Sequence, residues 1–210
     1  MRARAFSRLR GLAAAVVAGS LLAGCATPGP QAVDQAAAQD RWRQRQPQLA
    51  SVTGFRLQGR ISTGALFGAS GSLSWQQQQD AFEALFSGAL GVGAVKVTGT
   101  ADDLVVQTRD GSVDKQRAEA LLQQRFGWTP PWRSLRYWIL GMPRPDAPAT
   151  VQLDADGRLR SLNQDGWQLD YQEYRATPAF PVDLPRKLEL QHGDETIHVL
   201  VDVWQQIDRR

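Results

Sequence analysis

Residue types that carry nucleophilic or metal chemistry are scarce in this chain of 210 residues, which holds one cysteine, Cys25, and two histidines, His192 and His198. The histidines sit on opposite arms of a Gly193-Asp194 turn with no cysteine near them, a pattern that suits surface histidines better than a zinc site. Asp154-Ala155-Asp156-Gly157 opens like a calcium loop, but the later ligands and the closing glutamate are missing, so a hairpin turn is the better reading. Asp102-Asp103 lies beside a strand start with nothing to mark it as an acid-base pair. Gly68-Ala69-Ser70-Gly71 has neither the spacing nor the strand-to-helix setting of a nucleophile elbow, and no phosphate-binding loop occurs. Catalytic residues, metal ligands and a diffusible cofactor are therefore not expected, and the chain does not read as an enzyme.

Cys25 is left with a different chemistry, set by what precedes it. Arg2, Arg4, Arg8 and Arg10 lead into the apolar run Leu12–Leu22, and small residues then meet the cysteine in Leu22-Ala23-Gly24-Cys25. The layout is that of a secretory signal peptide, and the run is much shorter than the roughly 20 apolar residues of a spanning helix. The string resembles a bacterial lipobox. That implies cleavage before Cys25, a covalent diacylglycerol on its thiol and an N-acyl chain on its new amino group. Residues 1–24 are then signal peptide, residues 25–33 a lipidated N-terminus and tether around Thr27-Pro28-Gly29-Pro30, and residues 34–210 a single domain. Ala26, where an aspartate would resemble inner-membrane retention, points to an outer-membrane anchor. Without residues 1–24 the chain loses four arginines, so its 24 basic residues fall to 20 against 21 acidic ones, a net charge of −1. A near-neutral domain gives no basic face for nucleic acid, and with its cysteine acylated it must be stabilised by core burial alone.

The elements that follow are legible from periodicity. Asp34 is a helix N-cap, and the segment reads as helical to about Gln46, where Pro47 opposes continuation; Trp42 and Leu49 are its inward contacts. From Phe55 the period becomes two: Phe55, Leu57, Gly59 and Ile61, then Leu73 and Trp75, then Phe82, Ala84 and Phe86 face one side. Gly64–Gly71 is a turn region. Val95–Thr98, Leu104–Thr108 and Ser112–Val113 continue the strands, the last two joined by Asp110-Gly111, a favoured type I′ pair. Two helices follow. The first is capped by Asp114 and carries Ala118, Leu121, Leu122 and Phe126 on one face; the second runs from Pro131 to Leu140 with Leu135, Trp138 and Ile139 inward. Hairpins return with Val151–Leu153, Leu159–Leu162, the Trp167-Leu169-Tyr171 stripe, Leu188 with Leu190, and Ile197–Val203. Such strands argue an antiparallel sheet that curls or closes, with the helices packed over one face or mouth.

Two apolar features fall outside a plain core. Leu90 and Val92 sit among three glycines in a loop, where polar residues are the rule; Leu90 either folds back on the core or dips into the membrane beside the anchor. Trp75, Trp138 and Trp167 either pack a core or line a cavity within the curled sheet, since apolar pockets favour aromatic walls.

Gly59-Arg60-Ile61, Trp75-Gln76, Leu90-Gly91, Trp138-Ile139-Leu140-Gly141-Met142-Pro143, Gln164-x-Gly166-Trp167 with Tyr171 and Tyr174, Leu184-Pro185 and Trp204 follow one another behind the lipobox. In this order they resemble the LolB family of outer-membrane lipoprotein receptors, from about residue 40 to 207; Ala89 stands where a proline is expected before the loop leucine. The resemblance implies an α+β fold, an unclosed antiparallel β-barrel of about eleven strands with an apolar cavity covered by helices. It also implies a monomeric receptor, anchored in the outer membrane and facing the periplasm, that takes acylated lipoproteins from the LolA-type carrier and releases them into outer-membrane lipid without energy input. Leu90 would be the membrane-inserting residue. Phe55, Leu57, Trp75, Phe86, Leu135, Trp138, Ile139, Trp167, Leu169 and Tyr171 are the inferred cavity lining. The competing class is a structural or assembly lipoprotein with a plain packed core.

Overall fold

Residues 34–63, 70–88, 93–126 and 129–207 are described by a computed structural model, the side chains of Arg125 and Phe126 excepted. The lipobox with Cys25, the tether, the turn at 64–69, the loop residue Leu90 and the inward contact expected of Phe126 lie outside these residues. The Asp34 carboxylate accepts the backbone N–H groups of Ala36 and Ala37 at 3.1 Å and opens helix α1, Gln35–Ala50, with Trp42 and Leu49 buried as expected. The helix does not stop at Pro47 but runs through it to a cap at Ser51. Pro47 denies the Arg43 carbonyl its helical donor. Even so, fully buried Leu49 and Gln48 Nε2, which donates to Gln44 O at 3.2 Å, hold the last turn, so tertiary packing overrides the local preference. At Gly157 (φ +71°) an added Cβ would lie 2.5 Å from Arg41 Cβ and 2.8 Å from Ala38 O, which shows how closely α1 approaches that turn.

Eleven strands then make one antiparallel sheet: β1 Gly54–Thr63, β2 Ser70–Gln78, β3 Ala81–Gly88, β4 Val95–Gly99, β5 Leu104–Thr108, β6 Gly111–Val113, β7 Thr150–Leu153, β8 Leu159–Gln164, β9 Trp167–Arg175, β10 Leu184–His192 and β11 Glu195–Gln206. The spatial order is β6-β5-β4-β3-β2-β1-β11-β10-β9-β8-β7. The first and last strands therefore pair at the centre, and the edges are β6 and β7, which are consecutive in sequence. Between them the chain forms α2, Lys115–Phe126, and α3, Trp132–Trp138. A ring of strands would close if β6 met β7; the helices occupy the connection that keeps it open.

Alternation puts the apolar side chains on one face. Register aligns Leu57 with Trp75, Trp75 with Ala84, Ala84 with Val97, Val97 with Val106 and Val106 with Val113, so one buried row crosses six strands. Each large side chain in such a row contributes about 1.5–3 kcal/mol by leaving water. The turn Asp165-Gly166 takes φ +54° and +78°, as a type I′ hairpin requires. The expected type I′ pair Asp110-Gly111 is not one: Thr108 pairs with Gly111, so the turn is centred on Arg109-Asp110, and neither residue has positive φ. Thr108 Oγ1 accepts the Asp110 N–H at 3.2 Å, fixing the earlier turn. Asp114 Oδ1 accepts the Arg117 N–H at 3.1 Å, and α2 buries Ala118 and Leu122 against β5 and β6. Helix α3 is shorter than expected, ending at Trp138. Leu140 and Gly141 continue in tighter turns, donating to Tyr137 O at 3.1 Å and Trp138 O at 2.9 Å, and Gly141 takes φ +79°.

Candidate functional site

The inner face of the sheet encloses a cavity of about 50 Å³ whose walls are apolar side chains throughout. The wall begins with Leu57 and Ile61 of β1, Leu73 and Trp75 of β2 and Phe86 of β3, and continues on the other side of β1 through Ile197 and Val199 of β11, Leu188 and Leu190 of β10 and Leu169 of β9. The roof is α3 and its last turn, through Leu135, Trp138 and Ile139. That strands from β3 round to β9 share one cavity shows how far the sheet curls. Trp138, Leu169 and Leu188 are buried, whereas Ile61, Phe86, Leu135 and Ile139 are partly exposed, so the cavity approaches the surface beside the ends of β1 and β3. At about 50 Å³ it lies far below the roughly 300–1,000 Å³ of a ligand pocket. The roof is closed.

Helix α3 bridges the two halves of the sheet, and its two attachments differ in kind. Toward β8 and β9 they are buried. Trp138 Nε1 donates to Gln164 Oε1 at 2.8 Å, and Tyr171 OH donates to Trp138 O at 2.9 Å; burial pushes the Tyr171 hydroxyl well up, so it remains a donor. Gln164, 3% exposed, also accepts the Arg144 N–H at 2.8 Å and donates to Arg144 O at 2.9 Å and Ala147 O at 3.1 Å. Gln164 thus ties the last residue of α3, and the connector that follows it, to β8. Asp165 accepts from buried Ser134 Oγ and from Arg144 Nη2 at 3.0 Å. Burial raises the Asp165 carboxyl, but these two donors outweigh it and hold the group below its ordinary value.

Toward β2–β5 the ion pairs are wet, and a buried aromatic stack lies between them. Arg136 pairs with Asp80 in the β2–β3 turn and Arg133 with Asp102 in the β4–β5 turn; the two carboxylate side chains are 85% and 67% exposed. Between them Trp132 stacks on Phe82 at 5.1 Å, and Phe82 on Trp75 at 5.0 Å, which carries contact from the helix into the cavity wall.

Of the residues expected to line the cavity, Leu57, Trp75, Phe86, Leu135, Trp138, Ile139 and Leu169 meet there. Phe55, Trp167 and Tyr171 are buried but stand outside it. Phe55 packs edge-on against Trp204 at 5.5 Å, Trp167 stacks on His192 at 4.9 Å, and Tyr171 holds the α3 carbonyl. Ile61, Leu73, Leu188, Leu190, Ile197 and Val199 complete the lining and were absent from that expectation. For four of them the signal was parity: Ile61 and Leu73 lie four and two residues from Leu57 and Trp75, and Leu188 and Leu190 pair with Tyr171 and Leu169, whereas Ile197 and Val199 pair only with residues that were themselves missed or outside the lining. Among the described residues no three His, Cys, Asp or Glu side chains come together to hold a metal. Both Asp154 oxygens are occupied by its own turn, Oδ1 accepting the Asp156 and Arg158 N–H groups at 2.9 Å and Oδ2 accepting from Arg158 Nε at 2.8 Å. No helix among the described residues is long and apolar enough to cross a membrane.

The eleven-stranded, unclosed antiparallel sheet defines a class of fold that is shared with solved structures. A LolA-superfamily protein from Nitrosomonas europaea is similar over 82% of this chain and 94% of its own, at a TM-score of 0.52 and 9% identity. Within that class the sequence is specific: the family described as "Outer membrane lipoprotein LolB" matches residues 53–204, and the chain belongs to it. It is 35% identical to the outer-membrane lipoprotein LolB of Stutzerimonas stutzeri over 188 residues, 88% of this chain and 90% of that one. It is likewise 35% identical to that of Pseudomonas putida over 189 residues, 89% and 91% of the two chains. The protein is accordingly a lipid-anchored outer-membrane lipoprotein with a place in lipoprotein localisation.

Proposed function

We propose that this protein is the membrane-side receptor of lipoprotein delivery. It accepts acylated lipoproteins from a LolA-type periplasmic carrier, shelters their acyl chains beneath α3 and releases them into the outer membrane, acting as a carrier and not as a catalyst. The observation that carries the reading is the all-apolar cavity roofed by a helix whose attachments are wet on one side. A C16 chain in water is disfavoured by about 12 kcal/mol at about 0.8 kcal/mol per methylene, so it must pass from carrier to receptor to bilayer under cover. The closed cavity must widen severalfold to admit one chain, and α3 is the part placed to move.

Cys25 carries the acyl chains that anchor the domain through residues 25–33, facing the periplasm as a monomer. Leu90 belongs to the loop just beyond Phe86, the partly exposed cavity residue of β3, and so brings the mouth of the cavity to the lipid. Leu57, Trp75, Phe86, Leu135, Trp138, Ile139 and Leu169 contact the acyl chains, while Phe55, Trp167 and Tyr171 support them from behind. The test is transfer of a radiolabelled acylated lipoprotein from its carrier to liposomes, with and without a soluble form starting at Ala26. Faster transfer without an energy source, through an isolable complex with this protein, is expected. No complex and no acceleration would leave a structural lipoprotein with a packed core.

A further inference from the structure

On the side of α3 away from the acyl cavity lies a second depression, of about 400 Å³, between the helix, the β2–β3 and β4–β5 turns and the chain after α3. Its size is that of a small-ligand site. Its rim is balanced: Arg133, Arg136 and Arg144 face Asp80, Asp102 and Asp146, each arginine already paired with one of these carboxylates. A net-neutral rim of satisfied pairs gives no excess charge to hold a phosphate. What lies beneath its surface is a pair of unused donors. Trp132, 6% exposed, and Arg144 both line it, and Trp132 Nε1 and Arg144 Nε are buried with no hydrogen-bond acceptor among the described residues. A buried donor without an acceptor is costly and calls for an explanation. The depression is also joined to the acyl cavity, because Trp132 stacks on Phe82 and Phe82 on Trp75, which forms part of that cavity's wall.

Neutral acceptors without donors are the chemistry that fits, and an acylated cysteine carries them in its ester carbonyls. Resting on the transport reading above, we propose that this depression is the head-group subsite. When acyl chains displace α3, Trp132 Nε1 and Arg144 Nε donate to the carbonyl oxygens at the head of the cargo's lipid, while the tails occupy the apolar cavity. The subsite selects acylated cargo over bare hydrocarbon of equal length. It also gives the displaced helix new partners while the arginine pairs are strained or broken.

The experiment uses the mature lipoprotein in dilute non-ionic detergent and reads displacement of a fluorescent acyl probe by three ligands. These are a diacylglyceryl-cysteine peptide, its dialkyl-ether analogue lacking the ester carbonyls, and phosphatidylethanolamine. Trp132→Phe keeps the ring stack and removes the N–H; Arg144→Lys keeps a positive charge and removes Nε, and serves if the first variant folds poorly. Each is expected to weaken the diester peptide roughly three- to tenfold and to leave the ether analogue unchanged. Equal loss for both peptides, or loss for neither, overturns the subsite while the transport reading stands. Loss confined to phosphatidylethanolamine assigns the carbonyls to bilayer lipid and overturns the cargo assignment. Wild-type protein that binds none of the three overturns the transport reading itself.

Discussion

Removing the ionic side of the α3 attachment should speed loading without unfolding the domain. In Asp80→Asn with Asp102→Asn, Arg136 and Arg133 lose their carboxylate partners, while Arg136 Nη1 keeps its bond to Gln79 O at 3.0 Å. Such exposed pairs contribute about 0.2–1 kcal/mol each, so the closed state should lose about 0.5–2 kcal/mol relative to the open one. That is roughly a two- to thirtyfold rise in the open population. The contrasting change is Gln164→Leu, which strips acceptors from Trp138 Nε1 and Arg144 N in a buried setting. At about 1–3 kcal/mol for each orphaned donor, it should destabilise the whole domain by about 2–5 kcal/mol. Stopped-flow uptake of an environment-sensitive acyl probe reads the first effect, amide exchange across α3 localises it, and urea denaturation reads the second. The double asparagine variant is expected to load faster and exchange faster in α3 with little change in denaturation midpoint. Unchanged uptake and exchange, or a fall in midpoint matching that of Gln164→Leu, would refute the division into a releasable side and a fixed side.

Leu90→Glu should leave acceptance of cargo from the carrier intact and block its delivery to liposomes; delivery at the wild-type rate by a folded variant would remove Leu90 from the membrane step. Gly157→Ala should loosen α1, since the new Cβ meets Arg41 and Ala38 within 2.8 Å at φ +71°. A loss of at least about 1–2 kcal/mol in urea and faster exchange in α1 are expected, and a neutral result would contradict the close approach. The depressed Asp165 carboxyl contributes stability that is fully present above its unfolded value near 4 and is lost as pH falls through the lower folded value. Asp165→Asn should therefore be the more open at α3 near neutral pH and change little with acid, while the wild type opens below about pH 4 and loses its advantage, read by probe uptake; identical acid profiles would show that the Ser134 and Arg144 contacts do not hold the helix.

The strands were legible because they are half-buried: Leu57, Trp75, Phe86 and Leu169 alternate with polar neighbours, and period two is visible without a partner strand. Helix ends were less so. Pro47 signals a stop locally, but the burial that carries α1 to Ala50 comes from residues far along the chain, and no window of sequence contains it. The turn at Arg109-Asp110 escaped for a related reason, since Asp110-Gly111 has the right composition and the ladder places Gly111 in the strand. The cavity lining was read in part because aromatic residues draw attention. Ile61, Leu188 and Val199 are indistinguishable from core residues until the register brings Ile61 beside Val199 and Leu188 beside Val199. The two-sided attachment of α3 was not legible at all. Asp80, Asp102 and Asp165 lie in three separate turns, and only the gap between β6 and β7 makes them neighbours of one helix.

That gap also bears on how the receptor proposed above would load and then let go without an energy source. A dry void destabilises a protein by about 24 cal/mol per Å³, so a cavity held open by a further 300 Å³ would cost roughly 7 kcal/mol while empty. A closed barrel could not escape that, because its wall cannot contract. Here the wall is interrupted between β6 and β7, and with α3 packed inward about 50 Å³ remains. The empty receptor is thereby stabilised, and every binding event must first reverse the settling, which lowers the net affinity by the same amount. The bilayer has no such opening step and recovers the full transfer energy of each chain. On the proposed function, acyl chains would then run downhill from this protein to the membrane because α3 can close behind them. The Asp80→Asn with Asp102→Asn variant should then show a second defect: by weakening the closed state it should bind cargo more tightly and release it to liposomes more slowly, even as it loads faster.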